Sequence, residues 1–113
     1  MRMLGIGVDI VDMRRLRQAR HLERVAEFFL LPEELEAMKH SRDAVQFAAS
    51  RFAAKEAVIK ACPERLWYHD FVIEKEGEKL RVRFCGPVGR KYAVFVSIAH
   101  EPCFTISNAV VGL

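Results

Sequence analysis

Phe47 to Ala61 reads FAASRFAAKEAVIKA, and this stretch decides the fold. It is rich in alanine and free of glycine and proline, a composition that predicts a helix. On a 3.6-residue period Val45, Ala48, Ala49, Phe52 and Ile59 share one face, with Glu56 in the middle of it. Phe47, Ala54 and Val58 form a second apolar stripe on roughly the opposite side. A helix apolar on two sides is expected to be central and buried. A carboxylate on such a face is costly unless a cation or a donor meets it. Lys55 and Lys60 flank Glu56, and Lys60 lies within side-chain reach. Two readings stay open: an ordinary i,i+4 helix pair, or a charged group kept for chemistry.

Working outward toward the start, Met3 to Val11 reads as a strand. Leu4, Ile6, Val8 and Ile10 alternate with Gly5, Gly7, Asp9 and Val11. Asp9 therefore sits inside a strand that looks buried. Gly7, its neighbour on the same face, has no side chain and leaves room there for a ligand or a backbone. The bland alternative is a solvated Asp9 near a strand end. Asp12 is the better cap for the helical pattern that follows from Met13 to Leu31. That pattern pairs an apolar stripe (Leu16, Ala19, Leu22 or Val25, Phe28, Phe29) with Arg14, Arg15, Arg17, Arg20 and Arg24. Five arginines are either a solvated face or a dock for acidic protein or phosphate. Pro32 opens another helix with Glu33 and Glu34 in its first turn, ending near Lys39 to Arg42. Asp43 is the expected N-cap of the long central helix, and Cys62-Pro63 ends it.

After Pro63 the character changes to strands. Phe71 to Glu74 and Leu80 to Phe84 flank a turn at Glu76-Gly77-Glu78. Cys85 to Gly89 is a loop. Tyr92 to Ile98 and Phe104 to Val111 are separated by Ala99-His100-Glu101-Pro102, a second hairpin. The order is one strand, three helices with a long central one, then mostly antiparallel strands. The fold class is α+β, in one domain spanning residues 1–113.

Composition bounds the function. A chain of 113 residues that is 51% hydrophobic can build one core but keeps a large surface, so oligomerisation would be a natural source of further burial. A formal charge of +3 suits an acidic partner or a phosphate ligand. Cys62, Cys85 and Cys103 are an odd number at wide spacing, which fits neither a disulfide framework nor a zinc site and points to a reducing cytoplasm. No signal peptide and no bilayer-spanning apolar run is visible, so no membrane partner is expected. Basic residues are not interleaved with aromatics as in a single-strand binder, and no nucleic-acid partner is expected either.

Asp9 and Glu56 are hard oxygen ligands on two elements without companion cysteine or histidine, a set that suits Mg²⁺ better than zinc. Lys60 would then neutralise a phosphate oxygen or a leaving group.

Gly5 to Asp12 (GIGVDIVD) with Arg51 to Ala61 (RFAAKEAVIKA) resembles the holo-acyl-carrier-protein synthases, a group of 4′-phosphopantetheinyl transferases. The family's GxD motif is present as Gly7-Val8-Asp9. Its FxxKExxxK motif is present as Phe52, Lys55, Glu56 and Lys60. Ser97-Ile98-Ala99-His100 is similar to the family's serine- and histidine-bearing segment. The resemblance implies the family's α+β fold and transfer of phosphopantetheine from coenzyme A to a serine of an acyl carrier protein, releasing adenosine 3′,5′-bisphosphate. It implies Mg²⁺ on Asp9 and Glu56, with Lys60 on the pyrophosphate. It further implies coenzyme A contacts from Arg51, Lys55, Lys60 and His100, and carrier-protein docking on Arg14, Arg15 and Arg17. A homotrimer with active sites at subunit clefts is implied as well. The base that deprotonates the serine is left open between a metal-bound water and a nearby carboxylate. Three departures stand out: Cys62 to Leu66 replaces the family's glycine-rich LGTG-like segment, Ala99 stands where a second serine is common, and a helix common before the last strands is shortened to Gly86 to Lys91. The competing reading is a non-catalytic basic module that binds acidic proteins or phosphate ligands without magnesium.

Overall fold

The computed structural model describes residues 1–113. Strand β1 is Met3–Asp12, followed by short helices α1 (Met13–Arg17) and α2 (Leu22–Ala26), then α3 (Pro32–Lys39) and the long α4 (Ala44–Ala61). A 3₁₀ turn at Tyr68–Asp70 leads into β2 (Phe71–Glu76) and β3 (Lys79–Phe84), and the chain closes with β4 (Ala93–His100) and β5 (Phe104–Gly112). The class is α+β, as the sequence predicts. The strands form two sheets: an antiparallel three-stranded one in the order β1-β5-β4, and the β2-β3 hairpin. Gly77, at φ +65°, occupies the first position of the two-residue turn joining β2 to β3, where a left-handed residue is needed.

α4 is the central element, packed on β1 and β5 above all. Asp43 caps it, its carboxylate accepting from Gln46 N at 3.0 Å. Its alanine face (Ala53, Ala54, Ala57, Ala61) is buried against the three-stranded sheet, and Ala48 packs with Ala26, Phe29, Leu30 and Met38. Small residues let the helix and β1 approach closely. A Cβ on Gly5 would lie 2.0 Å from the Ala61 carbonyl oxygen, and one on Gly7 would lie 2.0 Å from that of Ala57. The space at Gly7 is therefore filled by the helix backbone and is not open to a ligand.

Three sequence expectations change. The face of β1 toward the core carries Gly5, Gly7 and Asp9, while the apolar face looks outward, with Ile6 70%, Val8 52% and Ile10 62% exposed. Alternation identifies an apolar face but not whether this chain covers it. The single helix expected over Met13–Leu31 is two five-residue helices. Its proposed stripe does not bury as one face, since Ala26, Phe29 and Leu30 turn onto α4 while Phe28 stays 74% exposed. On α4, Glu56 lies at the margin of the buried surface, and the fully buried charge is its neighbour Lys55.

Lys55 is satisfied entirely within the protein. Its ammonium donates to Glu34 Oε1 at 2.7 Å, to the Tyr68 carbonyl at 2.7 Å and to the Phe71 carbonyl at 2.9 Å. Glu34 also accepts from the amides of Leu31 and Ile73. Burial pushes the Lys55 ammonium down from its ordinary value, and the Glu34 carboxylate opposes that. One buried ion pair thus ties α3, α4 and the start of β2 together.

Candidate active site

Asp9 is placed by register. β1 runs antiparallel to α4, with Gly5 against Ala61 and Gly7 against Ala57, so the next residue on that face points toward the turn of helix that carries Glu56. In the sheet Asp9 pairs with Ser107, whose hydroxyl is turned away to donate to the Ser97 carbonyl at 2.9 Å. Lys60 donates to Asp9 Oδ1 and to the Val8 carbonyl, both at 3.1 Å. The i,i+4 pair read between Glu56 and Lys60 is not made: Lys60 reaches across to the strand instead. Glu56 Oε1 accepts from the Tyr68 hydroxyl at 2.5 Å. The Tyr68 phenol is pushed up to about 12, first by burial, then by its bond to Glu56 and by the charges of Glu56 and Asp9.

Asp9 and Lys60 are thus joined at the β1 edge of the sheet, facing the helix turn that carries Glu56, with the Asp9 side chain 17% and that of Lys60 51% exposed. The carboxylates belong to a strand and a helix, and both are half-buried. Two oxygen donors from two residues, with no group of three or more His, Cys, Asp or Glu gathered anywhere in the chain, do not make a full protein cage. They fit Mg²⁺, which takes one or two carboxylates and completes its shell with waters and substrate phosphates.

The remaining candidates lie elsewhere. Lys55 is buried and all its donors are used inside the fold, so its expected contact to coenzyme A is replaced by a structural role. Arg51 is 6% exposed, donates through Nε to the Ile73 carbonyl at 3.1 Å and stacks over Phe47 at 4.3 Å. It borders an open groove of about 1450 Å³ between α4, β3 and β4, whose rim includes Gln46, Lys75, Lys79, Arg81 and His100. The Gln46 amide donates to His100 Nε2 at 2.8 Å. Ten residues of helix, roughly 15 Å, separate Gln46 from Glu56, so within one chain His100 stands well away from the carboxylates. Arg14 is paired with Asp12 at 3.0 Å and Arg17 with Asp43 at 2.9 Å, while Arg15 is exposed and in no such pair. Sequence reasoning missed Tyr68 and Glu34. The only sequence signal for Glu34 is its place in the first turn of α3; Tyr68, in a connection without periodicity, has none.

Comparison with known proteins bears on the family and the fold. The family model of the 4′-phosphopantetheinyl transferase superfamily matches residues 5–106. A holo-[acyl-carrier-protein] synthase of Methylibium petroleiphilum is 34% identical over 124 aligned positions, covering 95% of this chain and 94% of that protein. One from Azoarcus sp. is 54% identical over 59 residues, a match confined to 50% of this chain and 47% of the relative. Among solved structures, the holo-(acyl-carrier-protein) synthase of Bacillus anthracis in complex with CoA (3′,5′-ADP) superposes with a TM-score of 0.83 at 25% identity, covering 98% and 97% of the two chains. That of Helicobacter pylori in complex with coenzyme A gives 0.76 at 28% identity, over 95% and 99%.

Proposed function

The chain belongs to the 4′-phosphopantetheinyl transferase superfamily, and from that premise we propose that it transfers the 4′-phosphopantetheine group of coenzyme A to a serine of an apo acyl carrier protein. The observation that carries the reading is the bond of Lys60 to Asp9 on the strand that faces the helix turn carrying Glu56. The serine hydroxyl gives up its proton to a base as its oxygen attacks the phosphorus that bears pantetheine. The bond from that phosphorus to the bridging pyrophosphate oxygen breaks, and adenosine 3′,5′-bisphosphate leaves. Asp9 and Glu56 would hold Mg²⁺, which supplies charge neutralisation at the pyrophosphate. Lys60, anchored beside Asp9, brings a cation to the same place and stabilises the charge that builds on the leaving oxygen.

The working unit of this reading is a homotrimer. The outward sheet face carries Ile6, Val8, Ile10, Phe95, Phe104 and Ile106, all exposed, an apolar surface that suits burial against further copies of the chain. The carboxylates lie at the β1 edge of this sheet and the groove of Arg51 and His100 at the β4 edge. Copies packed through the shared face would bring the two halves of a coenzyme A cleft from neighbouring chains. No helix is long and apolar enough to cross a membrane, all three cysteines are free, and the reading assigns the enzyme to the cytoplasm.

The test is incubation with coenzyme A, Mg²⁺ and an apo carrier protein, followed by intact-mass measurement of the carrier. A gain of one phosphopantetheinyl group is expected, and an unchanged mass would contradict the reading. Acyl carrier proteins are acidic, and Arg15 is the arginine of the α1 face that no carboxylate engages. In the same assay Arg15→Glu should raise the carrier KM about tenfold at low salt, with kcat and the coenzyme A KM nearly unchanged. Arg14 and Arg17 should contribute less to docking, because each is already paired within the chain.

A further inference from the structure

We infer that Tyr68 is the positioning residue for Glu56, fixing which oxygen of that carboxylate is offered to the metal; this rests on the reading of Glu56 as a metal ligand. Consecutive residues of α4 hold the two ends of this tyrosine. Lys55 donates to its backbone carbonyl at 2.7 Å, and its hydroxyl donates to Glu56 Oε1 at 2.5 Å. The ring is packed between Trp67, at a centroid distance of 4.8 Å, and Phe52, at 5.9 Å. Lys55 is in turn fixed by Glu34 and the Phe71 carbonyl. The hydroxyl therefore stands on a support anchored in the core, which is what a residue needs in order to orient another.

Neither neighbouring lysine can do this work. Lys55 is committed to the interior, and Lys60 is engaged with Asp9 and the Val8 carbonyl. A glutamate left alone on the helix surface would sample several rotamers and lose that freedom on binding a cation. A phenol removes the freedom in advance, and being neutral it leaves the negative charge of Glu56 for the metal, where an ammonium would cancel it. Occupying Oε1 leaves Oε2 as the free donor. Carboxylate ligands held by such outer partners are the usual arrangement, and losing the partner typically costs about 10–100-fold in metal affinity.

The experiment is Mn²⁺ titration with coenzyme A present, free Mn²⁺ being read by electron paramagnetic resonance, on wild type, Tyr68→Phe and Glu56→Gln. Tyr68→Phe should weaken Mn²⁺ about tenfold and raise the Mg²⁺ concentration for half-maximal turnover by the same factor. Its kcat at saturating Mg²⁺ and its Tm should stay near wild type. Unchanged Mn²⁺ affinity in Tyr68→Phe, with Glu56→Gln weakened, overturns the inference and leaves the metal assignment standing. A Tyr68→Phe protein that melts far lower at unchanged affinity overturns it too, since the tyrosine would then be structural. If Glu56→Gln also binds Mn²⁺ as wild type does, both the inference and the assignment beneath it fall.

Discussion

Glu56→Gln and Asp9→Asn should each lower phosphopantetheine transfer by about a thousandfold or more, on the order of 4 kcal/mol of transition-state stabilisation, and leave a folded protein. The size follows from what each carboxylate does. Both substitutions keep the shape of the side chain and the hydrogen bonds seen in the structure. An amide oxygen at position 9 would still accept from Lys60, and one at position 56 would still accept from the Tyr68 hydroxyl. What they remove is one of two negative charges, in a site that has no third acidic or imidazole ligand to compensate. The ion pair of Asp9 with Lys60 is half open to solvent, so its weakening should cost folding less than about 1 kcal/mol. Rates from the mass of the modified carrier, measured as Mg²⁺ is raised, would check this beside thermal melts. Either variant turning over near the wild-type rate at ordinary Mg²⁺ contradicts the account of the site.

The second large effect is on stability. Lys55→Met should cost about 3–5 kcal/mol, because it leaves the buried Glu34 carboxylate without its counter-charge. At roughly 4–8 °C per kcal/mol for a chain of this size, the melting temperature should fall by more than about 10 °C. Glu34→Leu should be comparably severe, since it strands the Lys55 ammonium and the amides of Leu31 and Ile73 together. The two losses should not add: in the double variant neither charge is left unpaired, so its cost should fall below the sum of the single ones. A Lys55→Met protein that melts with wild type would show that the pair is not the tie between α3, α4 and β2. The lysine five residues on behaves differently, as Lys60 is half exposed and bonded at the surface, so its loss should be felt in turnover more than in melting.

Much of this was legible because it is local. The alanine run from Phe47 to Ala61, its Asp43 cap and the stop at Cys62-Pro63 carry α4 in their own chemistry, and Gly77 announces the β2-β3 turn. Asp9 and Glu56 were legible as anomalies against apolar patterns. What could not be read depends on partners distant in sequence. Lys55 and Glu34 each look like an ordinary helix-surface charge until packing brings them together across 21 residues. The faces of β1 were distinguishable, but which one the chain covers depends on α4 seating its backbone against Gly5 and Gly7. Tyr68 sits in a connection with no period, and only the folded chain brings its hydroxyl to Glu56. The segment Cys62 to Leu66, which departs from the family's glycine-rich pattern, leads into Trp67 and Tyr68, and the Tyr68 ring packs beside Trp67 and beside Phe52 of α4.

The central claim is that Asp9 and Glu56 hold one divalent cation between them, and an anomalous difference map tests it most directly. Crystals grown with coenzyme A and Mn²⁺ should show a single strong peak within about 2.0–2.3 Å of a carboxylate oxygen from each residue, beside the pyrophosphate and within reach of Lys60. A peak in the groove of Arg51 and His100 instead, or coenzyme A bound with no peak between Asp9 and Glu56, would contradict it.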